Sequence, residues 1–579
     1  MNEEPKSIWK RTLTGKFKWL AWFVLVATAI FVGNLFVWLT AENNASLWEL
    51  ARVTLIIAVV GSLLLFLLIR VIRWLCCWRN FRRFLFGVAC FVTLVAVFYA
   101  EEDWRGKRAW ENHKRRWEAK GEKFTLAALA PPSVPDGQNF ALTPVLKPAS
   151  DFIHGTNGIH WLDSNGLARL QNLRADLWPN GSTNRTLALG SLEKGTFANL
   201  EACRDFYRGN TNYPQPVKPE TAAADILVAL GKFDPEIAEL REAAATRPDS
   251  RFPIKYDDEP PWDILLPHLG HMRGLCILMQ MRAIAELELG RTPAAFEDLK
   301  LGFRLSDSIR EEPLLIDHLV RISTLGIDLQ TLREGLVRHA WSEAQLAELE
   351  KYLASLNLLA EYKLAMRGER ACSTGGLDWM RRGRIKVDTQ YFTSEFGPRL
   401  APLSLMPSGW FYQNMLTISE LFENCYLPAV DEKAHRVFPD LAEKSDDALG
   451  QLRTGPYNIF AKLIMPALGR ASKRAAWMQT CVDAARVACA LERYRLANGK
   501  LPENLDALRP HFIEVIPTDV IDGRPLRYRL KPDGGYAIYS VGWNQTDDGG
   551  EVAWRKGKKQ EKRGVDDTKG DWVWQMPGK

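Results

Sequence analysis

Three apolar stretches, Trp19–Ala41, Val53–Leu75 and Phe84–Ala100, fill the first hundred residues of this 579-residue chain. A helix crossing a bilayer needs roughly 20 mostly apolar residues, because in lipid its backbone must satisfy itself. The first two stretches reach that length, and the third, with about 17 residues, stands at the short end of the range. None contains an acidic residue, and Arg70 and Arg73 stand near the end of the second. A cleaved signal peptide would show one short apolar core and a small-residue cleavage site. The pattern therefore predicts an anchor of three transmembrane helices over residues 1–100, carrying a large region outside the bilayer.

Basic residues set the orientation of such spans. Lys6, Lys10, Arg11, Lys16 and Lys18 precede the first stretch, and Arg70, Arg73, Arg79, Arg82 and Arg83 gather between the second and third. The first loop instead carries Glu42 and Glu49 with only Arg52. This alternation predicts a cytoplasmic N-terminus in an inner (cytoplasmic) membrane, with residue 101 onward extracytoplasmic. Glu101, Glu102 and Asp103 agree, whereas Arg105, Lys107 and Arg108 oppose it. If the short third stretch stays out of the bilayer, the assignment inverts.

Residues 1–100 carry eleven Lys/Arg and four Asp/Glu, a net +7 against +6 for the whole chain. Residues 101–579 are therefore almost neutral and present no charge excess to attract nucleic acid. Their length suggests about two to four domains. The nine cysteines form no C-x-x-C pair, so zinc knuckles and thioredoxin chemistry are not indicated. Cys481 and Cys489, eight positions apart on a predicted helix, lie about 12 Å apart by helical rise and are read as buried thiols.

After the anchor, a juxtamembrane helix is expected over 101–129. Trp104, Trp110 and Trp117 share a stripe on it, which fits either a helix lying against lipid headgroups or a stalk packed on its own domain. Residues 130–261 read as a mixed, loop-rich region containing His154 and His160. From 262 to 372 the pattern is helical, with helices expected at 262–290, 293–309, 313–338, 342–355 and 357–372. Gly290-Arg-Thr-Pro293 separates the first two, with proline in the first turn of the second. Ser342 with Gln345 reads as a capping box. Short connections imply an α-helical hairpin domain. The segment Ala285–Leu299 is similar to one tetratricopeptide-type hairpin, with no second copy at that period. His268 and His271 share a face of the first helix, but no third metal ligand can be named. Residues 373–472 read as a mixed, mostly helical linker. Nucleophile-elbow, P-loop and dinucleotide fingerprints are absent from the sequence.

Residues 473–579 carry the most specific signals. A helix over Lys473–Ala497 has an apolar face of Ala476, Val482, Ala485, Cys489 and Leu496 and ends at Asn498-Gly499. Strands are expected at Leu526–Leu530, Tyr536–Val541 and about Trp572–Gln575, with a charged insertion at 555–569. The order Ala490-Leu-Glu-Arg-Tyr494, Asn498-Gly499-Lys-Leu-Pro502, Ile516-Pro517-Thr-Asp519 and Tyr536-Ala-Ile538-Tyr539-Ser540-Val-Gly542 resembles the C-terminal region of the major pseudopilin of type II secretion systems. The likeness covers about 100 residues. It implies an α+β module, a long helix on an antiparallel sheet, with an acidic loop that binds calcium. Asp547, Asp548, Asp566, Asp567 and Asp571 are the ligand candidates that it implies. A pseudopilin, however, begins with a leader and one polymerising helix, and here the matching helix lies deep in the chain. Pro131-Pro-Ser-Val-Pro135-Asp-Gly-Gln-Asn139-Phe140 and Leu405-Met-Pro407-Ser-Gly-Trp410 resemble segments of uncharacterised bacterial membrane-anchored envelope proteins.

The sequence thus predicts a membrane-anchored, mainly α protein whose partners are the lipid bilayer and other envelope proteins. The expected function is non-enzymatic protein–protein contact, in the setting of a secretion-type assembly. The alternative is a membrane-bound hydrolase whose site gathers dispersed residues such as His154, His160, His268 and His271.

Overall fold

The computed structural model describes residues 47–155, 158–173, 189–383, 406–465, 468–556 and 562–578, with a few positions before residue 34. The first apolar stretch and the basic residues before it lie almost wholly outside the described residues. The chain divides into two compact units, Met1–Glu101 and Glu102–Lys579.

Helix α1 (Leu47–Leu75) is followed, after Cys76-Cys77, by α2 (Trp78–Glu118). Large apolar side chains stand bare along both, among them Leu64, Phe86 at 72% exposure and Leu94 at 69%. Apolar surface on this scale is not left to water by a soluble monomer. Among the described residues one helix, α2, is long and apolar enough to cross a membrane, where three had been expected. The third apolar stretch and the expected juxtamembrane helix are also not separate elements, because α2 runs through both and stops at Glu118. No proline interrupts residues 101–118. Gly121, with φ 92°, then turns the chain.

The tryptophan stripe divides. Trp110 is buried and Trp117 packs on the same core, whereas Trp104 is 61% exposed. The stalk reading therefore holds for Trp110 and Trp117. Glu102 begins the second unit held by Arg105 at 2.5 Å and by the Tyr457 hydroxyl at 2.9 Å.

Within that unit the region expected to be loop-rich holds, after short helices at Leu126–Leu129 and Ser164–Asn172, the helices α3 (Leu200–Arg208), α4 (Ala222–Leu230) and α5 (Asp234–Thr246). The helical array comprises α6 (His268–Glu288), α7 (Thr292–Asp307), α8 (Leu315–Val337), α9 (Glu343–Ala354) and α10 (Leu358–Arg381). Pro293 occupies the first turn of α7, and Ser342 and Gln345 close a reciprocal capping box on α9. Helix α10 runs nine residues past the expected end at 372. Ser373-Thr374-Gly375-Gly376 looks like a breaker, yet the missing side chain of Gly376 makes room for the Trp262 ring. Glycine here serves close packing instead of a turn.

After α11 (Ser408–Leu421), the hairpin β5 (Val430–Asp431) and β6 (Arg436–Val437), and α12 (Pro439–Gln451), comes α13 (Gly469–Asn498). Gly499 caps α13 in the left-handed conformation, φ 74°. The helix is buried on all sides through Ala475, Met478, Val482, Ala485, Val487, Ala488 and Cys489. It packs against α8, α9, α10 and α12 as well as two strands. Those strands belong to an antiparallel sheet of β7 (Arg527–Leu530), β8 (Tyr536–Ser540) and β11 (Trp572–Met576), with β8 central. Ile538 pairs with Tyr528 on one side and Trp574 on the other.

Two expectations need correction here. Leu496, expected on the apolar face of α13, is 44% exposed, and it is Trp477, Thr480, Cys481 and Ala484 of α13 that share a gap with Val573, Trp574 and Gln575. An all-round buried helix has no single apolar stripe to read. The charged segment 555–569 is not a plain insertion either. It contributes to an antiparallel hairpin of β9 (Val552–Lys556) and β10 (Lys562–Gly570). One hydrophobic core runs from Trp110 through the helical array to Trp572 and Met576. The helical segment and the C-terminal segment therefore share a core.

Candidate functional site

The helical array encloses an unusual density of ionisable side chains. His268, at the start of α6, stacks on Phe252 and lies 3.0 Å from Glu312. Asp317, in the first turn of α8, is fully buried beside them. Burial pushes Asp317 up to about 8, helped by the Glu312 charge, and holds His268 down to about 4. Glu312 is raised well above the usual carboxylate range by burial alone. His318 is lowered to about 3 by burial and by Arg321. Arg321, fully buried, lies 2.5 Å from Asp307 and 3.6 Å from Glu361. The Tyr352 hydroxyl donates to the same Asp307 at 3.0 Å. Asp328 accepts from Ser306 at 2.6 Å. These groups face one another across α6, α7, α8, α9 and α10, and His268, Glu312, Asp317, His318, Arg321 and Asp328 among them are buried. Arg321 with Asp307 and Glu361, and the hydrogen bonds of the neighbouring groups, tie the helices together, and an imidazole or carboxyl buried in this way has no route to a substrate.

His160 lies exposed on the hairpin β1 (Phe152–Gly155) and β2 (Gly158–Trp161), where it pairs in register with Ile153. His154 is in the same hairpin. His271 follows His268 on α6 and is partly buried. Among the described residues no three His, Cys, Asp or Glu side chains are disposed to hold a metal ion.

The five aspartates named for calcium separate into two places. Asp547, Asp548 and Asp571 border one loop. Asp547 accepts from Arg527 Nε at 2.8 Å, and Asp548 accepts from Asn544 at 3.0 Å. Asp571 receives the Asp548 and Gly550 amides at 3.2 and 2.5 Å. Asp566 accepts from the Thr568 hydroxyl, while Asp567 pairs with Arg555 at 2.5 Å and Lys473 at 3.4 Å. Calcium wants six to eight oxygens converging on one point. As arranged, these carboxylates do not fit it. Their charge is met by Arg527, Arg555, Lys473 and backbone amides. Arg527 in particular bridges Asp519, Asp522 and Asp547.

A solvent-open cleft of about 220 Å³ lies elsewhere in the same unit. Its walls come from the hairpin β3 (Leu189–Ser191) and β4 (Thr196–Ala198), from α6, from α8 and from α13. Arg273 and Gln280 project from α6, Ser323 and Gln330 from α8, and Arg474 and Trp477 from α13. Arg273 Nε donates to Ser323 Oγ at 3.1 Å. The Arg474 guanidinium stands over the Trp477 ring, 4.7 Å from its centroid, with Glu193 3.8 Å away. Sequence reading missed this site because four segments spread over nearly 300 residues build it. One signal was present, since Gln280 is the lone polar residue within Leu275–Met281.

Comparison with known protein families, with curated proteins and with solved structures finds no match for this chain.

Proposed function

We propose that this chain is a membrane-anchored envelope protein that binds other proteins and carries out no chemistry of its own. In this reading three N-terminal helices enter the inner membrane, and residues 102–579 lie on its extracytoplasmic side. The C-terminal module acts as a pseudopilin-like element within a secretion-type assembly. The bare apolar side chains of α1 and α2 support the anchoring. The order of long helix, short 3-10 turn at Leu505–Leu508 and antiparallel sheet supports the pseudopilin likeness.

The observation that carries the binding reading is the contrast between the two polar regions. The open cleft holds guanidinium, amide, hydroxyl and indole groups, which recognise ligands. The imidazoles of His268 and His318 and the carboxyls of Glu312, Asp317 and Asp328 are instead buried inside the bundle, and Glu193 is the one carboxylate at the cleft. The test is photo-crosslinking in intact membranes from an unnatural residue at Ser323, on the cleft wall. The reading expects discrete adducts with other envelope proteins. Uncrosslinked protein throughout, from a variant of normal abundance, would overturn it.

A further inference from the structure

The cleft has a more specific chemistry than a generic protein contact, and the choice of its ligand rests on the binding function proposed for the chain. Gln280 is only 5% exposed, yet its side-chain amide has no hydrogen-bond partner among the described residues while it lines the cleft. Buried polar groups are normally paired, whereas this amide opens on the cleft and is available there to a ligand. Arg273 uses Nε on Ser323, and among the described residues no carboxylate pairs with its guanidinium. Arg474 stands at the same cleft, braced on Trp477. Glu193 is the one acid in the lining, 3.8 Å from Arg474, so Arg273 is left uncompensated. Ile277, Ile322 and Met478 supply an apolar floor.

Two guanidinium groups, an unpaired amide and a hydroxyl around an apolar floor match a carboxylate attached to an apolar side chain. Planar guanidinium binds carboxylate through two parallel hydrogen bonds. The volume, about 220 Å³, lies below the roughly 300–1,000 Å³ of drug-sized sites. It suits one terminal residue, with the rest of a longer ligand leaving through the open mouth. We propose that the cleft captures the C-terminal α-carboxylate of a partner peptide, with Arg273 as the anion receptor and Gln280 as the donor to the terminal residue.

The test is calorimetry on the full chain in lipid nanodiscs. The probes are acetylated tripeptides Ac-Ala-Ala-X, with X a valine, leucine or phenylalanine, as free acids and as carboxamides. A free acid should bind saturably, and its carboxamide at least about tenfold more weakly. Arg273→Gln should weaken the acid by a similar factor while leaving the melting temperature in place, and Arg474→Gln, at a more exposed position, provides a second reading if the first variant misfolds. Equal binding of acid and amide, or no saturable acid in the set, overturns the proposal. Isovalerate binding as tightly as the peptides would overturn the peptide assignment in favour of a small organic acid. Crosslinks to envelope proteins persisting without acid selectivity would remove this inference and leave the binding function standing.

Discussion

Asp519 shows how one residue can hold a sheet to a loop. Its carboxylate accepts from Ser540 Oγ, the Ile521 and Val541 amides and Arg527, at 2.8 to 3.2 Å, with no exposure. Asp519→Asn would turn an amide N–H₂ toward those donors. The expected loss is about 2–4 kcal/mol in denaturant unfolding. Asp547 offers a contrast, since it is half exposed and its partner Arg527 keeps two other carboxylates. Asp547→Ala should cost at most about 1 kcal/mol. Millimolar calcium should leave the melting temperature of the wild type unchanged. A calcium-dependent rise that disappears in Asp547→Ala would show that the loop rearranges around the ion. Asp317 gives a pH dependence with a definite sign. Its folded value of about 8 exceeds its ordinary 3.8, so between about pH 4 and 8 the folded state keeps a proton that the unfolded state has released. Stability therefore falls as pH rises through that window. His268 and His318, lowered to about 4 and 3, act oppositely, but only below their ordinary 6.5. From pH 6.5 to 8 the carboxyls alone remain, and stability should decline. Asp317→Asn should flatten that decline by up to about 1.4 kcal/mol per pH unit, read from melting curves.

At the level of elements, helices were legible wherever their ends carried chemistry. The Pro293 first turn, the Ser342 capping box and the Gly499 cap each mark a boundary within a few residues. What escaped were features whose causes lie elsewhere in the chain. Gly375-Gly376 reads as a stop until Trp262 is seen packed there. The hairpin β9–β10 is rich in Lys, Arg and Asp, so its alternation is faint. The charged half of α2 hides another such feature. Gly106 meets Gly409 at the start of α11 so closely that a Cβ on either residue would strike backbone of the facing segment. The Gly409 amide also donates to Asp103 at 2.7 Å. Gly106→Ala should cost about 1–3 kcal/mol through overpacking. Gly409→Ala should do the same, and the double variant should lose less than the sum of the two. Additive losses in thermal unfolding would mean that the helices do not meet there.

Over the whole molecule, the apolar N-terminal region and the mainly helical class followed from composition and periodicity alone. One core also links segments that look independent in sequence. The cleft was hidden for the same reason, as distant segments meet only after α13 is in place. Topology remains directly measurable. Alkaline phosphatase fused after Lys579 should be active if residues 102–579 are exported, and an inactive fusion beside a working cytoplasmic reporter would reverse the orientation. The all-round burial of α13 also has a consequence for how the protein is made. The helix emerges during synthesis before β7, β8 and β11, and β8 pairs with β7 well before β11 exists. Until β11 is made, β8 has one open edge, and the Trp477 side of α13 lacks Val573 and Trp574. A newly made chain thus passes through a stage with an adhesive strand edge beside a bare apolar helix. Ribosome-tethered chains halted just before Trp572 should be the most protease-sensitive and the most dependent on a holding chaperone, and those extended past Met576 should lose that dependence.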